Sequence, residues 1–492
     1  MSYVLGLDLG TSSLKGLVID KECNLVYEAS YEYTFDSPKP SYSEQNPEDW
    51  VMALNSIMEE TKSKVTEFGN NLEAISISGQ MHGLVLLDEN NNVIRPAILW
   101  NDTRTSKQCE DIVKDFGDEI LSITKNRPLE GFTLPKILWV QQNEPELWNR
   151  VKHIMLPKDY VVWYLTGKYS TDFSDAAGTL LLDLKKCKWS NAIIEKYKID
   201  RVYLPSIYNS EEFVGKVRDT LSLKWQLKNK VKVAAGGADN ACAALGAGIV
   251  SSDIALVSIG TSGVFLSYED STHDKYKGML HLFNHAISGG YYSMGVTLSA
   301  GHSLEWFRRT FAREKTFKEL LKNIGVINVG SDGLLFAPYI VGERTPYADS
   351  KIRGSFIGID TNHTLDHFVR AVVEGITFSL KDSQVLMEEV ADKKFSKIIS
   401  VGGGAKNKEW LQIQANIFAC EILQLESEQG PGLGAAFLAM IVAGWYSSLE
   451  ECVAQNVHYK DSIYPDAVVV REYDKIYKKY KRIYESTKRI CD

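Results

Sequence analysis

The chain has 492 residues, of which 44% are hydrophobic and 24% are charged, and its formal net charge is -8 at pH 7. Because one hydrophobic core rarely grows beyond roughly 250 to 300 residues, this length predicts two large domains of an ordinary globular protein. The negative charge disfavours a nucleic-acid partner. No apolar run approaches the ~18 residues of a membrane span, so no membrane partner is expected either.

The seven cysteines are scattered along the chain and never form a CxxC pair. This spacing argues against a disulfide framework and a zinc site, and it favours free thiols in a reducing compartment. The first ten residues, MSYVLGLDLG, do not have the basic and apolar regions of a secretory signal. We therefore expect a cytoplasmic protein.

A hairpin is predicted at the start of the chain, with strands at residues 3–9 and 14–19 and the turn Gly10-Thr11-Ser12 between them. The same unit recurs at residues 254–266, where the turn is Gly260-Thr261-Ser262-Gly263. A repeat at this separation predicts a duplicated domain with one phosphate-binding hairpin in each copy. The glycine-rich residues 244–250 mark the expected boundary.

Further strands are predicted at residues 74–78, 231–235 and 398–401, each of which is followed by glycine. Apolar residues recur at helical spacing over residues 365–378 and 409–418. Because strands and helices are mixed throughout both halves, the predicted fold class is α/β.

Asp8 lies near the end of the first strand, separated from the glycine turn by one residue. A carboxylate in that position can hold Mg²⁺ through water, while turn amides and the hydroxyl of Thr11 are suited to phosphate oxygens. An aspartate that only caps a hairpin is the alternative. The recurrence of Gly260 and Thr261 in a second turn favours phosphate binding.

Asp239 lies in the segment GGADNA, after a predicted strand and near the expected domain boundary. A cleft is expected there, and a carboxylate in it could act as a general base, although a lone aspartate in a glycine-rich turn is more often structural. The segment SVGGGAKN, with Gly403 and Asn407, permits close approach of the backbone to a nucleotide; a simple tight turn is its alternative.

Two patterns are interpreted as structural. GPGLGAA, at residues 430–436, matches a loose dinucleotide pattern but follows a charged stretch, so glycines that pack at a helix start are expected there instead of an NAD site. His281 and His285 have i, i+4 spacing without the glutamate of HExxH, which gives no zinc site.

Two long segments resemble the signatures of the FGGY carbohydrate kinases, which belong to the actin/hexokinase/Hsp70 superfamily: GFTLPKILWVQQN at residues 131–143 and GSFIGIDTNHTLDHFVRAVVE at residues 354–374. The resemblance spans essentially the whole chain. It implies two ribonuclease-H-like α/β domains with an interdomain active-site cleft. Residues 1–245 would then hold the sugar and the catalytic base, and residues 246–492 the ATP.

Shorter segments are similar to the xylulose-specific branch of that family: SGQMHG, AILWNDTR, LPKDY, SDAAGT and GERTP. They imply phosphorylation of D-xylulose at its C5 hydroxyl by ATP with Mg²⁺. Ribulose, 1-deoxy-xylulose or another polyol on the same fold stays open as the acceptor. A nucleotide-gated binding protein that resembles actin or Hsp70 is a second open alternative. The resemblance also makes a homodimer a possible assembly.

The resemblance also implies roles for individual residues. Asp239 would be the base, and Asp8 and Thr11 would face the metal and the transferred phosphate. Gly260 and Thr261 would contact the nucleotide phosphates, and Gly403 and Asn407 the nucleoside. The implied sugar-site residues are Gln80, Met81, His82, Trp100, Asp102 and Asn240.

Overall fold

The computed structural model describes residues 2–460 and 462–491. Residues 1 and 492, the outer bounds of the two predicted domains, and residue 461 lie outside this part.

The first half of the chain contains the following strands and helices: β1 Tyr3–Leu9, β2 Ser13–Asp20, β3 Leu25–Glu32, β4 Glu44–Gln45, β5 Leu72–Gly79, β6 Val85–Leu87, β7 Ala97–Ile98, β8 His153–Met155, β9 Ser170–Asp172, β10 Leu182–Asp183, β11 Lys188–Trp189, β12 Ser206–Tyr208, β13 Phe213–Lys216, β14 Lys232–Ala234 and β15 Gly237–Ala238, with α1 Pro47–Lys64, α2 Phe68–Asn71, α3 Ser106–Thr124, α4 Thr133–Asn143, α5 Pro145–Trp148, α6 Pro157–Thr166, α7 Phe173–Ala177, α8 Asn191–Lys196, α9 Asp219–Lys224 and α10 Asp239–Gly246.

The second half contains the following elements: β16 Ile254–Ile259, β17 Gly263–Glu269, β18 His281–Asn284, β19 Tyr291–Thr297, β20 Leu335–Ala337, β21 Ser355–Ile357, β22 Lys397–Gly402 and β23 Glu421–Leu423, with α11 Gly301–Phe311, α12 Phe317–Leu320, α13 Leu365–Ala391, α14 Lys408–Phe418, α15 Pro431–Ala443, α16 Leu449–Asn456, α17 Ala467–Tyr480 and α18 Arg482–Cys491.

The two halves contain sheets of the same design. The first sheet has the strand order β13-β14-β5-β1-β2-β3, and the second has β18-β19-β17-β16-β22-β23. In each sheet the first two strands, β1/β2 or β16/β17, form an antiparallel hairpin. The first strand of each hairpin also pairs in parallel with a later strand, β1 with β5 and β16 with β22. The predicted α/β class, the two hairpins and the further strands and helices are confirmed.

The central strands are buried on both faces because helices cover both sides of each sheet. In β1 six of the seven residues are buried, as expected for a strand between two neighbours inside a covered sheet. Helix α14 begins where the side chain of Asn407 accepts a hydrogen bond from the backbone N–H of Trp410, 2.9 Å away. In the second sheet the ends of β16 and β22 lie side by side, with Ile259 opposite Gly402.

Helices α10 and α15 pack against each other, and α15 also packs on β1 and β5, although it lies late in the sequence. One continuous apolar cluster includes residues of both helices and of both sheets, from Val4 in β1 to Leu256 in β16. The glycines of residues 430–436 make this possible. A Cβ on Gly434 would lie 2.0 Å from the carbonyl oxygen of Cys242, and one on Gly6 would lie 2.4 Å from that of Gly432. The expectation of packing glycines at a helix start is confirmed.

We expect Gly434→Ala to destabilise the protein by at least about 1–3 kcal/mol, because the added methyl group collides with the α10 backbone and cannot rotate away. The measurement is the thermal unfolding midpoint. Gly117→Ala is the matched control, since its Cβ would meet its nearest neighbour at an ordinary 3.7 Å within α3. Equal midpoints for the two variants would contradict close packing of α10 and α15.

Candidate active site

Two hairpin turns carry backbone amides that are free to bind a ligand. The glycine of each turn closes it, with 3.0 Å from Gly10 N to Ser13 O and 3.0 Å from Gly260 N to Ser262 O. Within residues 2–460 and 462–491, the amides of the next two residues in each turn have no acceptor. Adjacent free amides of this kind form concave sites for anions. Each half of the molecule therefore presents one pair of adjacent amides with the geometry to receive an anion.

The start of α11 supports the second turn. The backbone N–H groups of Gly301 and His302 donate to the carbonyls of Gly260 and Thr261 at 2.8 and 3.1 Å. These bonds occupy the carbonyls of the turn, so its backbone can bind a ligand through its N–H groups.

Side chains support the first turn. Trp100 Nε1 donates to Thr11 Oγ1 at 2.9 Å, and that hydroxyl lies 3.3 Å from Gln80 Oε1. Gln80 also contacts Gly10 O and Gln45 Oε1 through its Nε2 at 3.4 and 3.3 Å. The side-chain amide of Gln80 is engaged under the turn and the residue is only 2% exposed, so Gln80 does not line the sugar-sized cavity described next.

A cavity of about 190 Å³ lies between the two halves, and residues of both form its wall. Its lining includes Met81, His82, Trp100, Leu129, Gly131, Phe132, Asp239, Asn240, Ser262, Val264, His281, Phe283, Met294, Val296 and Arg344. Five of the residues implied by the resemblance are thus brought together. We call this space the small cavity.

Asp239 is the first residue of α10, and its carboxyl group faces the small cavity. Its Oδ1 accepts from the backbone N–H of Asn240 at 2.7 Å and from Asn240 Nδ2 at 2.9 Å. Burial, followed by the negative charge of Asp8, raises the pKa of Asp239 to about 7. A carboxylate that takes up a proton near neutral pH is suited to general-base chemistry.

Asp8 lies at the end of β1 beside this carboxylate. Burial raises its pKa to about 6, against the opposing effects of Ser78 and Lys15. The pair concentrates negative charge where the two hairpins approach the small cavity.

A buried ion cluster holds the segment before Asp239 in place. Lys158 Nζ lies 2.8 Å from Asp159 and 3.2 Å from Asp172, and it donates to Ala235 O at 3.2 Å. Asp172 Oδ2 accepts from Ser174 Oγ, which in turn accepts from the N–H of Ala238 at 2.9 Å. Burial alone would lower the pKa of Lys158, but the surrounding carboxylates raise it, so the amine stays charged.

His82 has a left-handed backbone with φ of 67°, which is unfavourable for a residue with a side chain. Its carbonyl accepts from Lys136 Nζ at 2.9 Å and from Thr133 Oγ1 at 3.1 Å. Its Nδ1 lies 2.6 Å from Gly178 O and must donate to it, so Nε2 has a free lone pair. Burial first, then the charges of Lys136 and Arg344, lowers its pKa to about 3, which makes the ring neutral.

Asp102 does not line the small cavity, although the resemblance suggested it as a pocket residue. It is fully buried and binds Arg104 through both oxygens, and its Oδ2 accepts from the N–H of Ser43 at 2.6 Å. These contacts give Asp102 a structural position behind the pocket wall.

A second cavity, of about 830 Å³, lies in the C-terminal half. Gly260, Thr261, Gly403 and Asn407, all predicted nucleotide contacts, line it together. Leu304, Phe317, Leu321 and Trp410 add an apolar wall that suits a flat aromatic ring. We call this space the large cavity.

The two cavities meet at the second hairpin. Gly260 and Thr261 line the large cavity, whereas Ser262 lines the small one. The free amides of this turn therefore lie between a nucleotide-sized space and a space that contains a carboxylate.

His281 and Arg344 were not predicted as pocket residues, yet both line the small cavity. His281 begins strand β18 and is not helical, and its i, i+4 partner His285 is buried away from the pocket, where its Nδ1 accepts from the N–H of Ile287 at 3.1 Å. The segment GERTP contained Arg344, but nothing in a linear sequence shows which side chain of such a turn enters a cavity.

Asp8 fits a magnesium ion, because Mg²⁺ is held by one or two carboxylates together with water and phosphate oxygens. Its carboxyl group near the end of β1 offers this hard oxygen donor beside the first turn. The described residues contain no group of three or more His, Cys, Asp or Glu side chains that could hold a metal ion. Among the same residues, none of the helices has the length and apolar character needed to cross a bilayer.

Comparisons with known proteins agree with this geometry. Residues 3–246 match the N-terminal domain of the FGGY family of carbohydrate kinases, and residues 255–443 match its C-terminal domain. A xylulose kinase from Lactococcus lactis subsp. lactis (strain IL1403) is 54% identical over 100% of this chain and 98% of its own.

Two solved structures from Lactobacillus acidophilus share the fold with a TM-score of 0.94, and each comparison covers 99% of this chain and 98% of the other. One is a ligand-bound xylulose kinase with 27% identity, and the other is a gluconate kinase with 28% identity. With both family domains matched in order and a relative similar over its full length, this chain belongs to the FGGY family of carbohydrate kinases.

Proposed function

We propose that the protein transfers the γ-phosphoryl group of ATP to the C5 hydroxyl of D-xylulose, with Asp239 as the general base. The observation that carries this proposal is the shared hairpin, which has the large cavity on one side and the carboxylate-containing small cavity on the other. A phosphoryl group bound by the free amides of that turn would lie between a nucleotide and an acceptor.

The small cavity supplies the acceptor side of the reaction. Asp239 accepts the proton of the attacking hydroxyl, and Asn240 keeps the carboxylate in one orientation through its two hydrogen bonds. Since phosphoryl transfer passes through a loose transition state, the protein contributes mainly by positioning reactants and by balancing charge. A base in this role is typically worth about 10² to 10⁴ in rate.

The large cavity supplies the nucleotide side. Its apolar wall accommodates the base of ATP, and Gly403 and Asn407 lie beside it. Asp8 would hold Mg²⁺, which when bound neutralises phosphate charge during the transfer, and Thr11 in the first turn would face the transferred phosphate.

The identity of the sugar rests on the relatives. The 54% identical L. lactis protein is named a xylulose kinase, whereas a gluconate kinase has the same fold at the same TM-score as a xylulose kinase. The fold therefore does not select the sugar. Ribulose, 1-deoxy-xylulose or another polyol is the alternative acceptor.

A nucleotide-gated binding protein like actin or Hsp70 fits the cavities less well. Such a protein needs no small cavity beside the phosphate site, and it needs no carboxylate there. The homodimer and the cytoplasmic location stay expectations; the seven free cysteines agree with a reducing compartment.

We expect D-xylulose to give the highest kcat/KM in a coupled ADP-release assay that compares D-xylulose, L-xylulose, D-ribulose, L-ribulose and glycerol. ADP release without any sugar should be slow, because water is a poor substitute for a positioned hydroxyl. If another sugar gave the highest kcat/KM, the assignment of D-xylulose as the acceptor would be wrong. ADP release at full rate without any sugar would support the nucleotide-gated alternative.

Asp239→Asn should lower kcat by at least about 10², because the amide cannot accept the proton, while the KM for ATP stays nearly constant. Steady-state kinetics with both substrates measure this. Asp219→Asn is the matched control, since Asp219 is also the first residue of a helix but is exposed. Turnover of Asp239→Asn close to that of the control would remove Asp239 from the role of base.

The pH profile should reflect the raised pKa of Asp239. At low, fixed MgATP, kcat/KM for the sugar should fall tenfold per pH unit below about pH 7, because the protonated carboxyl group cannot act as a base. Replacement of Asp8 by asparagine should move this limb to lower pH, since the neighbouring negative charge is lost. An acid limb at the ordinary carboxyl value of about 4 in the unaltered protein would contradict the assignment.

A further inference from the structure

The orientation of the Asn126 side chain fixes the tautomer of His281. Asn126 Nδ2 donates to the carbonyls of Thr124 and Leu282 at 2.9 and 2.8 Å, and its Oδ1 accepts from the N–H of Leu282 at 3.3 Å. The same oxygen lies 3.0 Å from His281 Nδ1, which must therefore carry a proton. The lone pair of His281 is on Nε2.

Burial, and after it the positive charge of Arg344, lowers the pKa of His281 to about 3. The ring is thus neutral at physiological pH and accepts hydrogen bonds through Nε2. His281 lines the small cavity with His82, whose Nδ1 is likewise occupied by a carbonyl. The pocket wall therefore offers acceptors for two hydroxyl protons.

Arg344 provides the complementary donor. Its backbone is held because its N–H donates to Glu343 Oε1 at 2.8 Å, and the same carboxylate also binds the N–H of Leu298 and the hydroxyl of Ser379. In the described part of the chain, the Arg344 guanidinium has no hydrogen-bond acceptor, although the side chain lines the small cavity. A charged group with five donors in a pocket requires a polar partner.

The two halves contribute different groups to the small cavity. Asp239 enters it from the start of α10 in the N-terminal half, whereas His281, at the start of β18, and Arg344 enter it from the C-terminal half. A sugar whose reacting hydroxyl lies at Asp239 can reach these two residues with its other end.

The chemistry of a 2-ketopentose defines that other end. The C5 hydroxyl is the group that closes the furanose ring onto C2, so a sugar whose C5 hydroxyl is free to react is open-chain and has a free C2 carbonyl. With C5 at the base, the carbonyl and the C1 hydroxyl are the polar groups farthest from it. A guanidinium donates to a carbonyl oxygen, and an unprotonated imidazole nitrogen accepts from a hydroxyl.

We propose that Arg344 and His281 determine the specificity for the open-chain ketose: Arg344 donates to the C2 carbonyl oxygen, and His281 Nε2 accepts a hydrogen bond from the C1 hydroxyl. This inference rests on the proposed function. Both residues come from the C-terminal half, whereas Asp239 comes from the N-terminal half. The sugar thus bridges the two halves.

The test compares two ligands for each variant: D-xylulose, and an analogue that lacks the group proposed to bind the replaced residue. Arg344→Gln should lower kcat/KM for D-xylulose by about tenfold or more, because a hydrogen bond from a charged donor is lost. The inhibition constant of D-arabinitol, in which C2 is an alcohol, should change little. His281→Phe should likewise lower kcat/KM for D-xylulose by about tenfold or more. It should leave nearly unchanged the inhibition constant of 1-deoxy-D-xylulose, which lacks the C1 hydroxyl.

Arg489→Gln, an equivalent change at an exposed residue of α18, is the control. The thermal unfolding midpoint and the KM for ATP identify variants that fail to fold. Equal losses for D-xylulose and D-arabinitol in Arg344→Gln, or a raised KM for ATP with the sugar KM constant, would overturn the assignment of Arg344. Equal losses for D-xylulose and its 1-deoxy analogue would overturn that of His281. If the unaltered protein releases no ADP with D-xylulose, the proposed function itself fails.

Discussion

The contact between α10 and α15 sets the geometry on which the rest of the structure depends. Gly434 lies directly on the backbone of Cys242 in α10, and Gly432 lies on Gly6 in β1. Helix α10 begins at Asp239, and β1 ends beside Asp8. The distance between the proposed base and the first hairpin is therefore fixed by glycine contacts that leave no room for a methyl group. An approach this close makes the two halves one continuous apolar body at the floor of the site.

Charge is distributed unevenly around the small cavity. Asp8 and Asp239 are both poorly solvated, and burial raises the pKa of each. Between about pH 4, where an unfolded aspartate ionises, and the folded value of about 7, the unfolded chain binds fewer protons than the folded one, so stability falls as pH rises. The fold thus gives up some stability at neutral pH to hold a carboxylate with the proton affinity of a base.

The buried cluster around Lys158 stabilises the backbone that leads into Asp239. Lys158 and the carboxylates of Asp159 and Asp172 are almost fully buried, and hydrogen bonds connect the cluster to the backbone at Ala235 and Ala238. Removal of one partner from such a cluster leaves an uncompensated buried charge, which is strongly destabilising. We infer that LPKDY and SDAAGT are structural supports of the site and not contacts of the ligand.

The amino-acid sequence by itself determined the local elements and the family. The two glycine turns, the α/β alternation and the segments of residues 131–143 and 354–374 are contiguous patterns, and strand pairing in a hairpin needs only neighbouring residues. Asp239 and Gly403 could be singled out from the residues themselves, since each lies in a short glycine-rich segment after a predicted strand, whereas His82 was implied only by the resemblance to the family.

Only the tertiary structure decided which polar side chains enter the cavity. Gln80 and Asp102 lie within two residues of pocket residues in the sequence, yet their hydrogen bonds turn them under the hairpin and toward Arg104. His281 and Arg344 come from separate elements, and their convergence depends on how β18 and the turn after residue 342 pack against the N-terminal half. The physical reason is that a side chain's partner is set by long-range packing, which a one-dimensional pattern does not contain.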